Sequence, residues 1–424
     1  MHTSTEGALM VTRNYMAALA ALAALALLAT GCGRGDSGGG GGGEGGAEPG
    51  ITDKEIKLGG SYPFSGPASA YGSIGEGAKA YFEKVNASGG VGGRKINFTA
   101  LDDAYEPPKA VQNAKRLIEE EQVFALFNTL GTPNNLAIWD YVNEQKVPHL
   151  YVATGSSQWG SDVGKHPWTI GWQPNYVTEA QVYADFLKKE KPNAKVAVLY
   201  QNDGFGKDLL GGFEKAVEGS GIKVVAKESY EVTDPTVGSQ VTKLAGSGAD
   251  TFLNITTPKF SAQAIKGISE SDWKPLHILN NVGASKTLVL EPAGLENAKD
   301  IVSTAYFKDP EEAKFQSDSA MKEYKEGIKQ YAPDADANDA FVTYGWAVAQ
   351  TMEQALKGMK EPTRQGLMDS VRSLDAEVPM LLPGIRIETE GQDDGYPIEA
   401  MQIQRFNGEN WETEGKVVEA SAGG

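Results

Sequence analysis

The sequence predicts an α/β protein whose parallel sheets are divided between two lobes. From Ile51 onward, short apolar runs alternate with longer segments of helical period. This alternation is typical of βαβ units, in which consecutive strands run parallel and helices cover the sheet. The alternation starts again near Lys195, after a first series is complete. A repeat of the series favours two lobes with one shared architecture.

The first series contains predicted strands and helices in strict alternation. The strands are 56–59, 96–101, 123–127 and 148–152, and the helices are 72–86, 107–121 and 133–145. The glycine-rich run Gly89–Gly93 is predicted to turn the chain into the second strand, because glycine adopts positive φ at little steric cost.

The second series is followed by additional helices. Its predicted strands are 195–200, 222–226, 251–255 and 276–279, and its helices are 206–218, 237–245 and 261–270. A strand at 301–306, helices at 310–330, 338–359 and 364–373, and strands at 385–387 and 398–406 come next. The added helices indicate a return to lobe one, and the segment 168–172 is predicted to be the first connection between the lobes.

The predicted organisation has three crossings of a hinge between the lobes. We assign residues 51–172 and 301–392 to lobe one, residues 173–300 to lobe two, and residues 393–424 to a return to lobe two with the tail. Clefts between lobes are preferred sites for small ligands. The hinge therefore predicts a ligand site between the lobes.

The N-terminus is predicted to be a lipoprotein signal peptide, residues 1–31. An apolar stretch from Met16 to Ala29 follows the basic Arg13, and small residues precede Cys32. This order is typical of a secretory signal, and the stretch is too short to span a bilayer comfortably. The position of Cys32 resembles a bacterial lipobox, although Ala29 stands where leucine is more usual. A secreted protein with one free thiol is the alternative.

Residues 32–50 are predicted to form a lipidated cysteine and a tether. The segment after Cys32 consists mostly of glycine. Such a composition behaves as a flexible coil with an end-to-end distance of about 20–25 Å. Behind a lipid anchor, it would hold the folded part away from a membrane. Met10 is an alternative start, because the basic region follows it.

Composition excludes several classes of function. The formal net charge of -17 argues against nucleic acid as a partner. A single cysteine excludes an intrachain disulfide, and the four histidines lack the spacing of a metal site. No nucleophile elbow with a matching acid and histidine and no phosphate-binding Gly-Lys-Ser/Thr loop is found. We therefore predict a protein that is not an enzyme and that needs no metal or cofactor.

Several ordered segments carry a resemblance to a known family. They include Ile56–Ser61, Phe64–Pro67, Asn86–Val91 and Asp203–Gly206. Together they resemble the type I periplasmic binding proteins, and among these the branched-chain amino acid receptors of ABC importers, over about residues 51–411. The resemblance implies two Rossmann-like lobes that close around a small ligand. It also implies an extracytoplasmic protein, lipid-anchored to the bacterial cell membrane, with ABC permease subunits as partners.

The resemblance also implies a set of ligand-binding residues. They are Tyr71, Gly131, Thr132, Ala153, Thr154, Gly155, Asp203, Phe205, Thr256 and Asn281. In the family, loops such as 130–133 and 153–156 hold a ligand carboxylate. A helix N-terminus suits an anion because its first N–H groups lack intrahelical partners. Thr132 is predicted to cap such a helix and Pro133 to start it. Thr257 and Trp346 are further cleft candidates.

The sequence departs from the family pattern after the strand at 276–279. Amino acid receptors of this family place a carboxylate there for the ligand ammonium, but residues 280–284 contain no acid. Burying an ammonium without a counter-charge is costly. Either Asp203 supplies the charge, or the ligand lacks an ammonium. The expected ligand is thus an amino acid or, by preference, an organic or aromatic acid. A ligand-sensing receptor of the same fold that signals to a membrane partner is the alternative function.

Overall fold

The computed structural model describes residues 48–419. The predicted signal peptide, Cys32 and nearly all of the tether lie outside these residues. The described helices and strands form two large sheets flanked by helices and one small two-stranded sheet. Within residues 48–419, no helix has the length and apolar character that a membrane crossing needs.

Lobe one is built on a parallel sheet with the strand order β2-β1-β3-β4-β5. Its strands are β1 (Glu55–Tyr62), β2 (Lys95–Asp102), β3 (Ala125–Phe127), β4 (His149–Val152) and β5 (Thr169–Gly171). The helices among them are α1 (Ser73–Ala87), α2 (Pro107–Lys115), α3 (Thr132–Glu144) and α4 (Gln158–Ser161). The prediction of 168–172 as a connection is wrong, because Thr169–Gly171 pairs with β4 as a buried edge strand. The crossing to lobe two follows it.

Lobe two contains α5 (Tyr176–Glu190), β6 (Lys195–Gln201), α6 (Gly204–Val217), β7 (Lys223–Tyr230) and α7 (Gly238–Ala245). The chain continues through β8 (Thr251–Ile255), α8 (Pro258–Ser269), β9 (Leu276–Leu279), α9 (Glu291–Ala293), α10 (Leu295–Ala298) and β10 (Val302–Ala305). Strand β10 pairs with β9 in the second sheet. The assignment of this strand to lobe one, as part of residues 301–392, is therefore wrong. A short buried strand has the same sequence pattern in either sheet, so the pattern does not show which lobe the strand joins.

The chain then returns to lobe one and crosses once more. The returning elements are α11 (Ser319–Tyr331), α12 (Ala340–Gly358), α13 (Arg364–Val371), β11 (Asp375–Ala376) and β12 (Ile387–Glu388). The predicted helix 310–330 begins only at Ser319, after a short 3-10 turn at Ala313–Phe315. Strands β13 (Ala400–Phe406) and β14 (Trp411–Glu419) complete the second sheet, in which β13 runs antiparallel to both β10 and β14.

Helices α1 and α12 pack in backbone contact, which joins the first and last parts of lobe one. A Cβ atom on Gly77 would overlap the Val342 carbonyl oxygen, and one on Gly345 would overlap the Ile74 carbonyl oxygen. Only glycine permits this approach. Beside it, Trp346 is fully buried, with ring centroids 4.9 Å from Tyr81 and 5.6 Å from Tyr324. Trp346 is therefore a core residue, and its proposed place in the cleft is wrong.

Candidate ligand-binding site

A cavity of about 850 Å³, mouth included, lies between the two lobes. Clefts between two lobes are preferred positions for small-molecule sites. Both lobes and the hinge segments supply aromatic rings to its wall: Tyr71, Tyr105, Tyr176, Phe205, Tyr306, Phe307, Phe341 and Tyr344. No lysine, arginine or histidine of residues 48–419 lines it. The cavity therefore suits a ligand with an apolar or aromatic body.

The lobe-one corner of the cavity is formed at the N-terminus of α3. Gly131 is the N-cap residue with a φ of 96°, a conformation that favours glycine. Thr132 is the first helical residue and makes no capping hydrogen bond, so its predicted capping role is wrong. Its hydroxyl instead forms a hydrogen bond of 2.6 Å with the Thr154 hydroxyl. A Cβ atom on Gly131 would lie 2.6 Å from the Tyr105 ring, which shows how closely the backbone approaches the wall.

The structure brings most of the predicted site residues to the cavity. Those that line it are Tyr71, Gly131, Thr132, Ala153, Phe205 and Asn281. Thr154 lies behind Thr132, and Gly155 packs beneath Tyr176. Thr256 turns away and bonds to Asn254 and Ser261, whereas the adjacent Thr257 lines the cavity. Neighbouring residues of an extended chain face opposite sides, so a one-residue difference decides which threonine faces the cavity.

Asp203 is occupied by a structural role. Its carboxylate accepts hydrogen bonds from the Gly206 amide, at 3.1 Å, and from the Gln201 side chain, and so caps α6. Burial raises the pKa of this carboxyl group above its ordinary value. Asp203 is not among the residues that line the cavity. In this arrangement, it does not supply a free counter-charge to a ligand.

An acid does lie next to Asn281, but it comes from α5. The buried Glu179 carboxylate accepts hydrogen bonds from the Asn281 amide at 2.7 Å, from the Asn281 side chain and from the Tyr183 hydroxyl at 2.7 Å. Burial raises the pKa of Glu179 to about 7. This residue was not predicted, because the family pattern places the acid after β9. Glu179 lies on the same face of α5 as the apolar residues Tyr176, Ala180 and Tyr183. An acid on the apolar face of a helix was the available sign of a buried carboxyl group.

Two polar residues of the hinge segments were also missed. Gln173 is buried, and its side-chain nitrogen has no hydrogen-bond partner in the described part of the chain. Asp309 follows β10 and is the one acid that lines the cavity among residues 48–419. Both belong to connecting segments, which have no hydrophobic periodicity from which the direction of a side chain could be predicted.

Hydrogen bonds connect the lobes across the cleft. The Tyr71 hydroxyl of lobe one donates to the Val282 carbonyl of lobe two at 2.9 Å. The Ser157 amide and hydroxyl donate to the two carboxylate oxygens of Asp208, at 2.6 and 2.7 Å. Ser157 precedes α4 in lobe one, and Asp208 lies on α6 in lobe two. The described arrangement is therefore closed around the cavity.

Two α/β lobes with a cavity between them have the architecture of a solute-binding protein. Residues 55–410 match the model of the family described as periplasmic binding protein. The chain belongs to this family, whose members bind substrates and are not enzymes. The sequence-based predictions of family and fold class are confirmed.

Individual relatives are distant but extend over most of the chain. The Leu/Ile/Val-binding protein homolog 7 of Brucella suis biovar 1 (strain 1330) is 25% identical over 373 residues, which cover 85% of this chain and 91% of that protein. A branched chain amino acid ABC transporter protein from Thermus thermophilus with bound valine has a TM-score of 0.78 at 16% identity, covering 88% and 98% of the two chains. A solute binding protein from R. palustris in complex with 4-hydroxybenzoate has a TM-score of 0.72 at 17% identity, covering 86% and 97%.

Proposed function

We propose that this protein is the extracytoplasmic solute-binding receptor of an ABC importer and closes its two lobes around a small ligand that bears a carboxylate. The observation that carries the proposal is the aromatic cavity. Both lobes line this cavity, and hydrogen bonds join the lobes to each other around it. The structural relatives from Thermus thermophilus and R. palustris contain valine and 4-hydroxybenzoate. Both ligands combine a carboxylate with an apolar or aromatic body, and the aromatic wall of this cavity suits such a body.

The carboxylate is assigned to the corner formed by Gly131, Thr132 and Ala153. The cavity wall contains no basic side chain in the described residues, so an anion must be held by hydrogen bonds. The N-terminus of α3 offers the positive end of a helix dipole and the amides of Thr132 and Asn134. Pro133 has no N–H, and the Gly131 amide donates to the Ala153 carbonyl at 3.3 Å. The Thr132 hydroxyl adds a donor once it exchanges its bond to Thr154 for one to the ligand. The aromatic rings then enclose the rest of the molecule.

A ligand screen tests this function. Amino acids and their deaminated analogues should include a compound that raises the melting temperature, because a ligand at one hundred times its Kd adds about 2.7 kcal/mol of stability. Small-angle scattering should then show a smaller radius of gyration with that compound, because the ligand favours the closed form. The proposal is wrong if no small carboxylate binds, or if binding leaves the radius unchanged and large.

We further propose that Cys32 is diacylated and anchors the protein to the outer face of the cell membrane. The proposal rests on the signal-like segment before Cys32 and the glycine tether after it. Cys32→Ser should release the protein from the membrane fraction, because it removes the lipid attachment. Mass spectrometry of the N-terminal peptide should detect the acyl chains on the protein that retains Cys32. Membrane retention of the serine variant, together with an unacylated peptide, would contradict lipidation.

A further inference from the structure

Asp309 is placed where a ligand can reach it. It follows β10 by four residues, in the hinge segment that leads back to lobe one. Phe307 forms a β-bridge with Leu381, so the chain is extended there. Residues 304–307 and Asp309 all line the cavity, so this segment forms a continuous part of its wall. Asp309 is half-buried and is one of the residues that line the cavity.

The Asp309 carboxylate has no positively charged partner among the described residues. It accepts a hydrogen bond of 2.8 Å from the Glu311 amide, and the Glu312 amide donates to the Asp309 backbone carbonyl at 3.3 Å. Lysines of the surrounding segments are each paired with a different acid at 2.9 Å: Lys308 with Asp318, Lys286 with Glu311 and Lys314 with Glu312. Burial raises the pKa of Asp309 to about 6, with a smaller contribution from Glu311 and Glu312. Keeping this carboxylate ionised therefore costs free energy unless a positively charged group of a ligand compensates the charge.

The rest of the wall also favours positive charge. The wall contains eight aromatic rings, and the face of such a ring attracts a cation within about 6 Å. Beyond the wall, Glu179 adds a second buried carboxyl group behind Asn281. No basic side chain lines the described cavity to offset these groups. A ligand that carried only a carboxylate would leave the Asp309 carboxylate without a counter-charge.

We propose that Asp309 binds a protonated amine of the ligand, so that the transported compound carries both a carboxylate and an amine. This inference rests on the proposed function. It assigns the counter-charge to the segment after β10, instead of the segment after β9 where the family pattern has it. It also reverses the sequence-based preference for an organic or aromatic acid without an ammonium.

Matched pairs of compounds test the inference. Each amine-bearing acid is compared with the same acid lacking the amine: leucine with isocaproate, phenylalanine with hydrocinnamate, and δ-aminovalerate with valerate. Titration calorimetry should show that the unmodified protein binds the amine-bearing member of at least one pair about 10-fold more tightly or better, as expected for a hydrogen bond to a charged group. Asp309→Asn keeps an acceptor for the Glu311 amide. It should weaken binding of the amine-bearing member about 10-fold or more and leave its partner unchanged or tighter.

Asp334→Asn is the control, because Asp334 is an exposed acid that precedes α12. It should leave the preference for the amine intact. The inference is overturned if the unmodified protein binds the deaminated members equally well, a comparison that does not depend on the folding of any variant. It is also overturned if folded Asp309→Asn retains the preference. In both cases, the function as a carboxylate receptor stands. If neither series binds, the proposed function fails, and the inference fails with it.

Discussion

Gly77→Val should unfold lobe one or nearly so. Gly77 lies on the face of α1 that touches the backbone of α12, and an added Cβ would overlap the Val342 carbonyl oxygen. The helices cannot separate without disturbing the core around Trp346. Overpacking costs about 1–3 kcal/mol where side chains can shift, and a collision with backbone should exceed this, at about 4 kcal/mol or more. That loss is a large part of the stability of a typical domain. Urea denaturation followed by circular dichroism measures it.

Gly211→Ala is the matched control for this substitution. Gly211 is an exposed helical glycine of α6, and an added Cβ would meet no atom within 4 Å. Replacing it should stabilise the protein by about 0.5–1 kcal/mol, because alanine has the higher helix propensity. An unfolding midpoint of Gly77→Val equal to that of the unmodified protein would show that α1 and α12 are not in backbone contact.

Asp208→Ala should open the lobes and weaken ligand binding by about 5–30-fold. The substitution removes both acceptors of the Ser157 amide and hydroxyl, which cross the cleft. Hydrogen bonds to a charged group contribute about 1.5–3 kcal/mol each. Burial of the carboxylate offsets part of this gain, as the raised pKa of Asp208 indicates. We therefore expect a net shift of about 1–2 kcal/mol toward the open form, and an equal loss of binding free energy.

Calorimetry with the ligand found by screening and scattering across a ligand titration measure this prediction. Asp208→Ala should raise the Kd, and more ligand should be needed to reach the smaller radius of gyration of the closed form. Asp208→Asn keeps one acceptor and should give a smaller effect of the same sign. Unchanged affinity in both variants would mean that the contact between Ser157 and Asp208 contributes no net free energy to the closed form and does not hold the lobes together.

The fold was largely predictable because buried parallel strands are apolar runs in the sequence. The predicted strand 195–200 corresponds to β6 at Lys195–Gln201, and the predicted strand 251–255 coincides with β8. Strand β14 was missed because Trp411–Glu419 is mostly polar and exposed, and it is held by pairing with β13. Such a strand depends on its partner and leaves no periodic signal of its own.

The candidate site was predictable only where it depends on the ends of strands. Gly131, Thr132 and Ala153 follow β3 and β4, and adjacent parallel strands end at the same edge of a sheet. Glu179 and Asp309 reach the site through contacts between distant segments. Glu179, for example, bonds to Asn281 across 102 positions of the sequence. No local sequence pattern predicts such a contact. The charged groups of the site were therefore harder to predict from the sequence than its backbone loops.

The order in which the chain is made differs from the order in which the second sheet is assembled. Strand β10 lies inside this sheet, and its antiparallel neighbour β13 pairs through contacts such as Thr304 with Ile403. A growing chain therefore carries an open sheet edge until Ala400–Phe406 has been synthesised. Open edges invite pairing with other chains, and pairings this distant in sequence form slowly. Truncation before Ala400 should thus leave β10 as an open edge strand, and the shortened protein should aggregate, whereas loss of a few residues from β14 should be tolerated.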